Sequence, residues 1–112
     1  MSTHRGRAAE DTAATFLRGK GFKVLAQNWR TRWCEIDIVA QKAKRIYFVE
    51  VKYRGHTNWG SGLDYITPRK LQQMHFAAEA WIAAHKLSGD YRLGALELTG
   101  ESPRITAWLD DI

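Results

Sequence analysis

The sequence predicts an α/β domain with a mixed sheet, in the order helix, three strands, helix, two strands. Three observations carry this reading. Apolar residues recur at helical spacing in two separate segments, near residues 7–18 and 67–88. Between them lie two apolar runs, 33–40 and 45–53, that read as strands joined by a short polar turn. Two further short apolar runs, 91–98 and 104–109, follow the second helix and are separated by Gly100 and Pro103.

In chain order, the first helix is marked by Ala9, Ala13, Phe16 and Leu17, with Gly19 and Gly21 as stop signals. Residues 22–29 follow as a first strand. Arg30-Thr31-Arg32 forms a basic turn into the second strand, and Gln41-Lys42-Ala43-Lys44 turns the chain into the third. A glycine-rich connection over 55–62, carrying His56 and Trp59, comes next. Thr67-Pro68 is a helix start, with threonine as N-cap and proline at the first helical position. Leu71, Met74, Ala78, Trp81, Ile82 and His85 mark one face of that helix, which is expected to end before Gly89.

The chain has 112 residues, the size of one domain over 1–112 with no room for a second core. Its 45% hydrophobic and 26% charged residues are ordinary for a soluble globular protein. There is no apolar run long enough for a membrane span, and no apolar stretch resembling a signal peptide. The single cysteine, Cys34, cannot form an internal disulfide, so a cytoplasmic location is expected. Net charge is +5 and the calculated pI is about 9.6. Residues 1–88 hold 15 Lys+Arg against 7 Asp+Glu, whereas residues 89–112 hold 2 against 5. Polyanions should therefore meet the first three-quarters of the chain.

The second and third strands carry the chemistry. A turn centred on Ala43-Lys44 pairs residues whose numbers sum to 87. Asp37 then opposes Glu50, and Glu35 opposes Lys52. Ile36, Ile38, Ala40, Tyr47, Val49 and Val51 form one face for burial. Directly opposed side chains stand roughly 5 Å apart at Cβ, and like charges there destabilise a sheet. Asp37 facing Glu50 therefore calls for a counter-charge. Mg²⁺ (or Mn²⁺) suits the need, since it takes few carboxylates and accepts phosphate oxygens. The Val51 carbonyl is a further candidate ligand. Lys52 lies on the same face as Glu50, placed to orient a nucleophile or offset transition-state charge. Glu10 shares a helical stripe with Ala13, Ala14 and Leu17 and can lean towards the same end. The alternative is a solvated face in which Glu35 and Lys52 form an exposed ion pair of small value.

These same segments, Cys34-Glu35-Ile36-Asp37-Ile38-Val39-Ala40 and Phe48-Val49-Glu50-Val51-Lys52-Tyr53-Arg54, resemble the YraN-like family of small bacterial proteins. That family is similar to the PD-(D/E)XK, restriction endonuclease-like superfamily, in particular to Holliday-junction resolvases. The resemblance implies a restriction endonuclease-like mixed sheet and a metal-dependent nuclease. It places Asp37 and Glu50 as metal-binding acids, Lys52 as catalytic lysine and Glu10 as the acid of the first helix. It also shows a departure: Cys34 stands where the family usually has glycine.

Arg30, Arg32, Arg54, Arg69 and Lys70 are candidate phosphate contacts, interleaved with Trp29, Trp33, Trp59 and Tyr65. Trp59 is the aromatic candidate for a nucleic-acid contact; Trp29 and Trp33 are expected in the core. His75 and His85 should pack or face solvent. The sequence thus predicts a metal-dependent nuclease acting on DNA, branched or single-stranded substrates included, with a homodimer as one option. A non-catalytic nucleic-acid-binding module and a protein-interaction domain remain alternatives.

Overall fold

The computed structural model describes residues 4–55, 64–87 and 89–112. Its elements are α1 (His4–Gly19), β1 (Lys23–Arg30), β2 (Glu35–Lys42), β3 (Arg45–Arg54), α2 (Pro68–Ala84), β4 (Tyr91–Thr99) and β5 (Arg104–Leu109). The five strands form one sheet in the order β1-β2-β3-β4-β5. Only β3 and β4 run parallel; the other pairs are antiparallel. A parallel neighbour demands a crossover, and α2 provides it. The predicted order of elements is the observed one.

Both faces of the sheet are covered. Ala9, Ala13, Ala14 and Leu17 of α1 pack with Ile38, Ala40, Val49, Leu96 and Leu98 on one face. Met74, Ala77, Ala78 and Trp81 of α2 pack with Ile36, Val39, Phe48 and Leu93 on the other. Three alanines in the α1 stripe let that helix lie close to the strands. No described helix is long and apolar enough to cross a membrane.

Local chemistry sets the boundaries. At the end of α1, the Gly21 N–H reaches the Arg18 carbonyl and the Phe22 N–H reaches that of Leu17, both at 3.0 Å. This closing turn needs a left-handed residue, and Gly21 supplies it at φ +92°. Thr67 caps α2 as expected, its hydroxyl accepting the Lys70 N–H at 3.1 Å. The far end of α2 closes earlier than Gly89. Lys86 takes the left-handed conformation (φ 53°), and the Leu87 N–H bonds back to Ile82. The β2–β3 turn places Ala43 and Lys44 at φ 53° and 66°, the two left-handed residues of a tight hairpin.

The hairpin register is the predicted one from Lys42↔Arg45 to Ile38↔Val49. Beyond that pair the ladder stops, so Asp37 and Glu50, and Glu35 and Lys52, are not ladder partners as expected. The predicted buried face also changes at this point. Ile38, Ala40, Tyr47, Val49 and Val51 lie under α1, but Ile36 belongs to the α2 side. The cause lies in the neighbouring strand. Asn28, between the Gln27↔Ile38 and Trp29↔Ile36 pairs, has φ 53°. A left-handed residue there breaks the simple alternation and turns the end of the β1–β2 pair towards α2.

Candidate functional site

The place where β2 and β3 part is occupied by a carboxylate. Asp37 Oδ2 accepts the Val51 N–H at 2.8 Å, so a side chain fills the gap that the ladder leaves. Burial pushes the Asp37 carboxyl up from 3.8 to about 7, and the Glu50 carboxylate adds to it. The Val51 hydrogen bond pulls the other way, while Glu10 and Glu35 raise it further. Asp37 is thus the focus of three other acids.

Two of those acids approach on different elements. Glu10, on α1, is 8% exposed and accepts a hydrogen bond from Asn28 Nδ2 at 3.0 Å. The residue that breaks the strand alternation therefore also anchors the helix acid. Glu50 follows Phe48 by two positions in β3 and so points to the α2 side. There Lys70 Nζ of α2 meets Glu50 Oε2 at 3.0 Å. Glu35 does not pair with Lys52; it meets Arg30 at 3.7 Å on the exposed surface.

Lys52 lies two positions beyond Glu50, with its ammonium 5.7 Å from the centre of the Tyr65 ring. The Tyr65 hydroxyl is buried and has no hydrogen-bond partner among the described residues. Burial, then Glu50, Glu97 and Asp37, hold its proton on well above the ordinary tyrosine range. In the sequence Tyr65 stands out only as an aromatic neighbour of basic residues. Its buried hydroxyl, within electrostatic reach of Glu50, Glu97 and Asp37, is a finding of the structure.

Arg54, a candidate phosphate contact, already has two partners within the protein. Its Nε donates to Glu97 Oε2 at 2.7 Å and its Nη2 to Asp64 Oδ1 at 2.9 Å. Two carboxylates already match its charge, and the Glu97 bond holds it more firmly protonated. Glu97 is 4% exposed and also accepts from Thr106 Oγ1 at 3.2 Å. The sequence reading missed Glu97, although the signal was the same one that exposed Asp37: an acid inside an apolar strand.

The other residues singled out by the sequence divide. Trp29 packs against the α2 cluster, as expected. Trp33 does not: it is 75% exposed, at the β1–β2 turn, with the Arg32 guanidinium 5.1 Å from its ring centre. Arg30, Arg32 and Arg69 are at the surface. Trp59 and His56 lie outside the described residues. Cys34 does not adopt a positive φ, so it bears no strain for standing in a glycine position. The Thr31 hydroxyl takes its N–H at 3.2 Å and that of Trp33 at 3.0 Å, which orders the turn.

An open cleft of about 540 Å³ runs from this turn to α2, lined by Trp33, Glu35, Glu50, Arg69, Lys70 and Phe76 among others. A crevice of about 10 Å³ behind it reaches Asp37 and Glu50, backed by Phe48 and Met74. The cleft and the crevice share Glu35, Glu50 and Met74.

Among the described residues, no three acids, histidines or cysteines stand together as a ready metal cage. The donor set still suits a cation that asks for few protein ligands. Asp37 is fixed by a backbone N–H, and its carboxyl is raised first by burial and then by the Glu50 carboxylate beside it. Mg²⁺ is commonly held by one or two carboxylates and several waters, and Asp37 with Glu50 meets that description.

The order α-β-β-β-α-β-β and the mixed five-stranded sheet are compatible with a restriction endonuclease-like fold. The chain belongs to the family whose model is described as "Uncharacterised protein family UPF0102", the YraN-like proteins; the match covers residues 9–99. A UPF0102 protein of Pseudomonas putida is 37% identical over 111 residues, covering 96% of this chain and 90% of the relative. Another, from Sulfurihydrogenibium, is 39% identical over 99 residues, covering 88% and 86%. A third, from Parafrankia, is 42% identical over 85 residues, covering 76% and 72%.

Proposed function

We propose that this protein is a cytoplasmic, Mg²⁺- or Mn²⁺-dependent nuclease that hydrolyses phosphodiester bonds in DNA. The observation that carries the reading is the Asp37 carboxylate. It is half-buried where two strands part, tethered by the Val51 N–H and crowded by Glu50 and Glu10, with Lys52 two positions beyond Glu50. Nothing in the packing of the sheet requires an acid there, and its ionisation costs stability.

Asp37 and Glu50 are the residues that would hold the cation, with the Val51 carbonyl as a third protein oxygen. When bound, the metal supplies charge that polarises the phosphate and favours ionisation of water. The Val51 N–H keeps Asp37 in one orientation, which lowers the reorganisation needed at the moment of reaction. Lys52 brings a fixed positive charge to the scissile phosphate or to the attacking water. Glu10 acts at longer range, held by Asn28, and adds negative potential that strengthens cation binding at Asp37. Lys70, paired with Glu50, is a positive group at the mouth of the same site and supports phosphate approach.

A second reading has a specific observation behind it. Lys70 already offsets Glu50. A fold with that pair in place serves equally as a non-catalytic nucleic-acid-binding module on a basic surface. The two readings separate in one experiment: digestion of labelled single-stranded, duplex and branched DNA in Mg²⁺, in Mn²⁺ and in chelator. The nuclease reading expects metal-dependent products that fall by about a thousandfold in Asp37→Ala and in Lys52→Ala. Binding without cleavage, unchanged by Asp37→Ala and insensitive to metal, supports the second reading and rejects the first.

A further inference from the structure

We propose that the cleft between the β1–β2 turn and the first half of α2 is a subsite for an unpaired nucleobase. The DNA strand carrying that base runs on to Glu50 and Asp37. This deepens the nuclease reading and rests on it.

Four observations point to that occupant. Trp33 and Phe76 are the two most exposed large apolar residues among those described, at 75% and 55%, and both line the same cleft. Trp33 is also presented by an ordered turn, since the Thr31 hydroxyl takes the N–H groups of Trp33 and Cys34. An exposed indole on a fixed turn is a stacking platform with little ordering left to do. The cleft's volume of about 540 Å³ lies within the range of sites that enclose ligands of nucleotide size.

The third observation is the polar lining. Arg69, Lys70, Gln72 and Gln73 come from α2, and Arg32 sits over the Trp33 ring. Glutamine amides offer a donor and an acceptor to a base edge, and the cations suit the phosphates on either side. Two acids also face the cleft, Glu35 and Glu50, but Arg30 and Lys70 respectively stand against them. Protein-binding surfaces are poor in lysine and glutamate at their centres, so this lining favours nucleic acid over a protein partner. The fourth is continuity: Glu50 lines both the cleft and the crevice that holds Asp37.

Rings of this kind select for unpaired bases. In a duplex the faces of each base are covered by its neighbours, whereas a flap, gap or junction arm offers them to an aromatic side chain. Trp33 and Phe76 therefore give the site a preference for strands that leave the helix.

The test is equilibrium binding in chelator, where no cleavage occurs, to three labelled DNAs: a blunt duplex, the same duplex with a single-stranded overhang, and that overhang made abasic. The last two carry equal numbers of phosphates. The base-containing overhang should bind about tenfold more tightly than the abasic one. Trp33→Ala and Phe76→Ala should each erase most of that difference, while Trp33→Phe keeps it. Equal binding of the two overhangs, or a difference untouched by Trp33→Ala, overturns the subsite and leaves the nuclease reading standing if cleavage is seen in Mg²⁺. No binding to any of the three DNAs, with no cleavage, removes both and leaves a protein partner as the cleft's occupant.

Discussion

Asp37→Asn should stabilise the protein at pH 8 and leave its stability almost unchanged near pH 4. In the folded chain the Asp37 carboxyl titrates near 7, against 3.8 for an ordinary aspartate, so between those values the folded state binds the proton and the unfolded state does not. Wild-type stability therefore falls as pH rises from about 4 to about 7, and stays lower above that. The loss is about three pH units at about 1.4 kcal/mol each, or about 4 kcal/mol at most. Asparagine keeps the oxygen that accepts the Val51 N–H and removes the charge, so it escapes the loss. Urea denaturation of both proteins at pH 4 and pH 8 measures the difference. An Asp37→Asn variant that is less stable than wild type at pH 8 would show that the carboxylate is a structural necessity. Acids that weaken a fold are expected where a cation or a reaction needs them.

The second large effect lies on the other side of Lys52. Arg54→Ala should lower Tm by about 10 °C or more, because among the described residues it leaves Glu97 as a charge inside the sheet with Thr106 alone to answer it. The double variant with Glu97→Gln should recover much of the loss. Losing the pair together is far less costly than losing one member. The measurement is a thermal melt of the four proteins. If Arg54→Ala melts with wild type, Glu97 is solvated enough to manage alone, and the Arg54 pairing has no structural weight. The same comparison distinguishes Arg54 from Arg32 and Arg69. Substitution of those exposed arginines should leave Tm within a few degrees and act on DNA affinity instead.

Much of this architecture is legible from local chemistry. The register from Lys42↔Arg45 to Ile38↔Val49 follows from the turn and from alternation, because a shift by one residue would exchange buried and charged faces. Thr67-Pro68 announces the start of α2 by capping alone. Asp37 and Glu50 stand out because acids are out of place in such strands, and the structure brings them within electrostatic reach of each other. The residues that were not legible depend on contacts distant in sequence. The switch of Ile36 to the α2 side follows the left-handed Asn28 in a neighbouring strand, which no alternation rule foresees. The Arg54–Glu97 pair needs the parallel β3–β4 register, in which Lys52 meets Glu97, and that register is set by the crossover through α2. Trp33 misled because a tryptophan beside an apolar strand is more often interior; the Thr31 turn holds it outside.

A carbon-13 NMR titration of the Asp37 side-chain carboxyl, with and without Mg²⁺, reads proton and cation at the same oxygens. The midpoint should lie near 7 without the metal and fall by at least about two pH units when Mg²⁺ is present, because metal and proton compete for the same oxygens. A midpoint near 4 in both conditions, or one near 7 that Mg²⁺ leaves in place, would contradict this expectation.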